Sequence, residues 1–165
     1  MPPQRILTKM LDITDLIDVE VTAAYVKYAI FVIVKMMLMS VATAFFRMKN
    51  KAFANPEDVV RYGKEEIAKK YLRTDPDVER VRRAHLNDLE NIVPFLFIGF
   101  FYSFSGAGLS TALLHYRIFL GSRIFHTVSY LVPLPQPCRA LSWLAGYLVT
   151  FSMMYRLVMV GLSLS

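Results

Sequence analysis

One cysteine and three histidines in 165 residues remove several classes of function at the outset. A lone Cys138 can form neither a disulfide within one chain nor a thiolate metal cluster. His85, His115 and His126 stand in no compact grouping with cysteine or carboxylate, so no metal ligands are assigned. The first twenty residues lack the basic start, apolar middle and small-residue cleavage site of a secretory signal. With Asp12, Asp15, Asp18 and Glu20 they read as an interfacial helix or a flexible N-terminus. Internal repeats and low-complexity tracts are also missing. What is abundant is apolar surface: 55% of the residues are hydrophobic and the mean hydropathy is +0.40, a balance that suits a small one-domain membrane protein better than a soluble one.

Four apolar stretches stand out, at residues 24–46, 92–105, 111–134 and 140–162, against the roughly 20 residues that a helix needs to cross a bilayer. They predict an all-α integral membrane fold, a four-helix transmembrane bundle in a single domain spanning 1–165. The second stretch is short, so its helix should start near Asp77 and carry polar residues into the membrane edge. Between the first two spans lies the one long polar region, a loop over 47–77. It continues into Arg80, Arg82 and Arg83 with an excess of Lys and Arg, which places it in the cytosol and both termini on the opposite side. The net charge of +6 sits against membrane spans and not on a soluble binding domain, so it points to anionic lipid and topology and excludes nucleic acid as a partner.

Charge inside the spans is more informative than charge around them. In RVRRAHLNDLENIVP (80–94), residues Arg80, Arg83, Asn87, Glu90 and Pro94 fall on one helical stripe. Arg123, His126 and Tyr130 share a stripe on the third span and can meet it. Lys35 and Arg123 lie mid-span, where a central Lys or Arg costs about 2.5 to 3.5 kcal/mol on insertion scales, so both should face the bundle interior. Arg117 and Arg156 sit nearer span ends and read as structural. Phe119, Trp143, Tyr147 and Met153 offer a loose apolar site, or else core and lipid contacts. Cations, an Asn, a Glu and a Tyr converging near the cytosolic side suit a small zwitterion with carboxylates and an ammonium group.

Four runs, KAFANPED (51–58), KKYLRTDPDVERVRRAHLNDLENI (69–92), RIFHTVSYL (123–131) and PLPQPCRALS (133–142), resemble the family of membrane-associated proteins in eicosanoid and glutathione metabolism. KMMLMS after Val34 and RAHLNDLEN are most similar to its transferase branch. The resemblance implies a homotrimer that binds glutathione between subunits near the cytosolic face. It implies glutathione contacts from Arg47 (of the adjacent subunit), Arg82, Arg83, His85, Asn87, Glu90, His126 and Tyr130. To these the stripe on the third span adds Arg123. Arg139 is implied as the catalytic residue that stabilises the thiolate, with Asp58 as a secondary catalytic candidate. The implied activity is glutathione transfer to hydrophobic electrophiles with reduction of lipid hydroperoxides, in the endoplasmic reticulum membrane or also the outer mitochondrial membrane. Two alternatives stay open: a glutathione-dependent prostaglandin isomerase and a non-catalytic lipid-binding scaffold. Ala140, where the prostaglandin branch carries Ser, favours the transferase. Val59, where the transferase branch often carries a sensor Cys, argues against thiol regulation at that position.

Overall fold

The computed structural model describes residues 18–63 and 65–164, so most of the expected interfacial N-terminus lies outside the described residues. Four long helices dominate: α1 (Val19–Asn50), α2 (Pro76–Tyr102), α3 (Leu109–Leu131) and α4 (Cys138–Leu164). The loop between α1 and α2 carries two short helices, Pro56–Val59 and Glu65–Tyr71, and a single isolated bridge joins Phe53 to Leu72. Among the described residues the architecture is therefore all-α.

Local chemistry sets the helix ends. Asp18 caps α1 by accepting from the amides of Glu20 and Val21, both at 3.0 Å, satisfying donors that the first turn leaves unpaired. At the other end Lys51 adopts a left-handed conformation (φ 49°) and turns its amide back to the carbonyls of Arg47 and Met48. Asp75 caps α2 in the same way as Asp18 caps α1, and Pro76 occupies the first helical position, where a missing N–H costs nothing. This is the start near Asp77 that the sequence predicts. α3 stops at Leu131, short of the expected 134, because Pro133 follows and disfavours a helical conformation in Val132 before it.

The packing order is specific. α2 and α3 touch each other and both flanking helices, whereas α1 and α4 do not meet. α1 and α4 are the two helices that are long and apolar enough to cross a membrane. They are not buried as the core helices of a soluble protein would be: Phe31, Met37, Leu38 and Val41 on α1, and Leu148, Phe151, Val158 and Leu162 on α4, face outward. The buried charged residues Asp88 and Arg123 are carried by the central pair, α2 and α3.

The interior changes character along its length. At the end away from the long loop, Tyr25, Tyr28, Phe95, Tyr102, Tyr116, Phe119 and Met153 form a dense core. Phe95 and Phe119 stack with centroids 3.7 Å apart and planes 4° from parallel. Arg156 closes that end by donating to Ser105 and to the Gly106 carbonyl, and Arg117 donates to the Tyr28 hydroxyl; both are structural, as expected. Phe119 and Met153 are fully buried in this core, which removes them from any open second site.

Candidate functional site

Below the aromatic core the central helices hold a charged cluster. Asp88 of α2 has 0% exposure and accepts from two cations, Lys35 Nζ on one carboxylate oxygen and Arg123 Nη2 on the other at 3.1 Å. Both cations thus face inward as the sequence requires, because a buried carboxylate offsets their desolvation. The same Arg123 Nη2 reaches Asn87 Oδ1 at 2.8 Å and His126 Nδ1 at 3.0 Å. The stripes of α2 and α3 therefore meet, but through a residue that the sequence reading overlooked. A signal for Asp88 existed: Val81, Ala84, Asp88, Ile92, Phe95, Gly99 and Tyr102 are all buried at helical spacing. Two mid-span cations also demand an acid.

Toward the long loop the structure opens into three basic cavities, of which the largest and the smallest hold most of the expected site residues. The largest, about 600 Å³, lies between α1, α2 and the loop and is lined by Arg47, Asp58, Arg82, Arg83 and His85 together with Phe53 and Leu86. The smallest, about 200 Å³, is lined by Arg80, Arg83, Tyr130 and Arg139. Arg83 belongs to both. Arg82 is held by Glu79 at 2.7 and 3.0 Å. Arg47, Arg83 and Arg139 donate no hydrogen bond among the described residues, and Nε of Arg139 and Nδ1 of His85 are buried without a partner. The Arg139 guanidinium lies 4.9 Å over the Tyr130 ring. That stacking holds against α3 a cation that stems from the first turn of α4, where the helix adds positive potential. The ring of Tyr130 in turn packs 5.1 Å from that of His126.

The third cavity, about 320 Å³ and lined by Arg47, Arg73, Asp75 and Arg82, lies where α1 ends and α2 begins. Asn50 donates to Asp75 at 2.8 Å. That hydrogen bond, with those from the amides of Val78 and Asp77, holds the Asp75 carboxyl below the usual carboxylate range.

The expected site residues fall into three groups. Arg47, Asp58, Arg82, Arg83 and His85 share one cavity; Arg83, Tyr130 and Arg139 share another; Asn87, Arg123 and His126 form the buried cluster. Glu90 joins none of them. It is exposed and lines a separate groove of about 300 Å³ with Asn91, Phe97, Tyr147, Phe151 and Met154. Asp58 and Arg139 also line different cavities within one chain. Tyr147 reaches open space as anticipated, with Trp143 packed 4.5 Å from it.

The sequence of this apolar helical molecule has known relatives. The MAPEG family model matches residues 25–159. Microsomal glutathione S-transferase 1 of Homo sapiens is 64% identical over 149 residues, covering 90% of this chain and 96% of that protein. The protein of the same name from Rattus norvegicus is 62% identical over the same shares. Prostaglandin E synthase of Homo sapiens is 43% identical over 130 residues, 79% of this chain and 83% of its own. A match that takes in α2 and α3 whole and nearly all of α1 and α4, together with identity of this order, shows that the chain belongs to the MAPEG family.

Proposed function

We propose that the protein is a membrane-bound glutathione transferase that ionises the thiol of glutathione and joins its sulfur to hydrophobic electrophiles. The observation that carries this reading is the trio Arg47, Arg83 and Arg139, whose guanidinium groups line the loop-end cavities and form no ion pair among the described residues, in a chain so similar to a curated microsomal glutathione S-transferase 1. Glutathione has two carboxylates for such guanidinium groups and an ammonium group for Glu90. Its remaining amides suit Asn87, His126 and Tyr130.

The chemistry needs a thiolate. A thiol of pKa about 8.5 is mostly protonated at neutral pH, and lowering it by about two units requires roughly 2.7 kcal/mol of selective anion stabilisation. Arg139, stacked on Tyr130 at the start of α4, is suited to supply it. The thiol proton leaves to water, the sulfur attacks the electrophilic carbon, and the leaving group departs with its electron pair. With a lipid hydroperoxide, two glutathione molecules are oxidised to the disulfide while the peroxide is reduced to alcohol and water. The exposed apolar faces of α1 and α4 fit substrates that arrive through lipid.

In this reading all four long helices span the membrane and three chains assemble into a homotrimer, with the loop over 47–77 in the cytosol. The host is the endoplasmic reticulum membrane, with the outer mitochondrial membrane as a second location. Arg47 and Asp58 then complete the site of a neighbouring subunit, which accounts for their separation from Arg139 within one chain. The isomerase reading rests on the 43% identity to human prostaglandin E synthase and is disfavoured by Ala140.

The test is the difference absorbance of the glutathione thiolate on the purified protein at neutral pH. Wild type should show it and Arg139→Ala should lose it while still binding glutathione. An undiminished signal in Arg139→Ala overturns the catalytic assignment. Turnover of chloronitrobenzene then separates the transferase from the isomerase.

A further inference from the structure

We propose that Asp88 is a positioning residue for glutathione, acting through Arg123 on Asn87 and His126; the inference rests on the transferase reading above. Asp88 is fully buried and touches no open cavity, so it is not a ligand contact. Its role follows from what its partner does. A guanidinium only donates hydrogen bonds, and although the two N–H groups of Arg123 Nη2 are shared among Asn87 Oδ1, Asp88 Oδ1 and His126 Nδ1, a protonated Nδ1 at 3.0 Å would set donor against donor, so the contact selects the tautomer with an unprotonated Nδ1. The ring proton is then fixed on Nε2, which makes that atom a donor. The same Nη2 lies 2.8 Å from Asn87 Oδ1, the shorter of that oxygen's two hydrogen bonds, the other coming from Asn91 Nδ2 at 3.4 Å; together they orient the amide and turn both N–H groups of Asn87 Nδ2 away from Arg123, with no partner among the described residues. One guanidinium nitrogen thus sets two donors on two helices.

Arg123 stays in place because Asp88 holds it. Nη2 carries all of its polar contacts; Nε and Nη1 are buried without partners, so no other group pins the guanidinium. Asp88 is itself steadied from α1 by Lys35, whose side chain is only 14% exposed. Without the carboxylate, Arg123 would seek other acceptors. Asn87 could then flip and His126 could change tautomer, presenting acceptors where glutathione carboxylates and carbonyls need donors.

A packing role alone predicts something different: loss of stability with unchanged glutathione affinity in whatever protein remains folded. Asp88→Asn alone leaves two buried cations facing each other, which is strongly destabilising, so the decisive comparison is Lys35→Met against Lys35→Met/Asp88→Asn. The double variant keeps the net charge of the wild-type cluster. Relative to Lys35→Met, it should bind glutathione roughly tenfold more weakly, with kcat at saturating glutathione within threefold. Lys35→Met/Asp88→Glu should restore most of the affinity that Lys35→Met/Asp88→Asn loses.

The second readout needs no glutathione. With ¹⁵N-labelled histidine in lipid nanodiscs, and His126→Gln for assignment, His126 should show an unprotonated Nδ1 in Lys35→Met and a mixture of tautomers in the double variant. If the tautomer shifts but wild type binds no glutathione, the positioning of the donors stands and the transferase reading falls. If wild type binds glutathione while the double variant keeps both the affinity and the tautomer of Lys35→Met, the role of Asp88 is overturned.

Discussion

Arg83 shows how much can rest on one side chain. It lines two of the loop-end cavities and has no acceptor of its own among the described residues, so it reaches a ligand from either side without first breaking an ion pair. Its neighbour Arg82 is already engaged with Glu79 at 2.7 Å, a pair of the exposed kind that contributes about 0 to 1 kcal/mol. The two arginines should therefore differ on replacement. Arg83→Ala is expected to weaken glutathione binding about tenfold, the loss of a charge-assisted hydrogen bond, with an unchanged unfolding temperature; titration calorimetry reads the first and a detergent melt the second. Arg82→Ala should cost less than half as much in free energy. Arg83→Lys should recover only part of the loss, since a point charge does not reproduce the planar fork. Equal effects of Arg82→Ala and Arg83→Ala would mean that the ion pair with Glu79 does not distinguish them. The sequence alone ranks these residues equally, because which arginine is already paired depends on rotamers that no spacing reveals.

At the scale of the helix, close approach matters more than hydrophobicity, because lipid competes with protein for apolar contact. Gly99 on α2 meets Tyr25 of α1 so closely that a Cβ there would lie 2.8 Å from the ring. The ring cannot readily yield, as its hydroxyl is tied to the Leu96 carbonyl at 2.7 Å. Gly99→Ala should destabilise the protein by about 1 to 3 kcal/mol, seen as a lower melting temperature. Gly121→Ala, with nothing within 4 Å, should be neutral or slightly stabilising. The α1–α2 junction makes a prediction in pH. The Asp75 carboxyl is held below its usual range chiefly by Asn50, so its contribution is fully present above the unfolded value, about 4, and is lost as pH falls through the lower folded value. Acid melts of wild type should fall over that interval, and Asp75→Asn should flatten the curve there. Helix starts and stops of this kind were legible in the sequence wherever a cap spelled them out, as Asp75–Pro76 does for α2. The end of α3 was set too late because hydropathy runs on through Val132 and Leu134 while Pro133 ends the helix. Asp88 was missed because the stripe was drawn through Asn87 and Glu90, each one residue before a position of the buried face, Asp88 and Asn91.

The whole molecule is graded along its length, with aromatic packing at one end, the Lys35–Asp88–Arg123 cluster in the middle and unpaired arginines at the loop end. The direction of that gradient was readable from charge, since it is the direction in which Lys and Arg accumulate. The division of the site was not. The family resemblance puts Arg47, Asp58, Glu90 and Arg139 at one ligand, yet one chain distributes them over three separate cavities and grooves. If the proposed trimer is right, that division is itself informative: each working site takes Arg139 from one subunit and Arg47 from the next. Complementation tests this directly. Arg47→Ala and Arg139→Ala protomers, each nearly inactive alone at subsaturating glutathione, are co-expressed in equal amounts and the mixed assemblies purified. In a closed ring of three heterologous contacts, random mixing leaves roughly a quarter of the interfaces with both arginines intact, so activity should return to about that fraction of wild type. A site built within one chain would instead contain a defective arginine in every protomer and recover nothing. Native mass measurement of the same samples fixes the assembly as three chains or shows another number, and in the latter case the recovered fraction has no trimer to explain it.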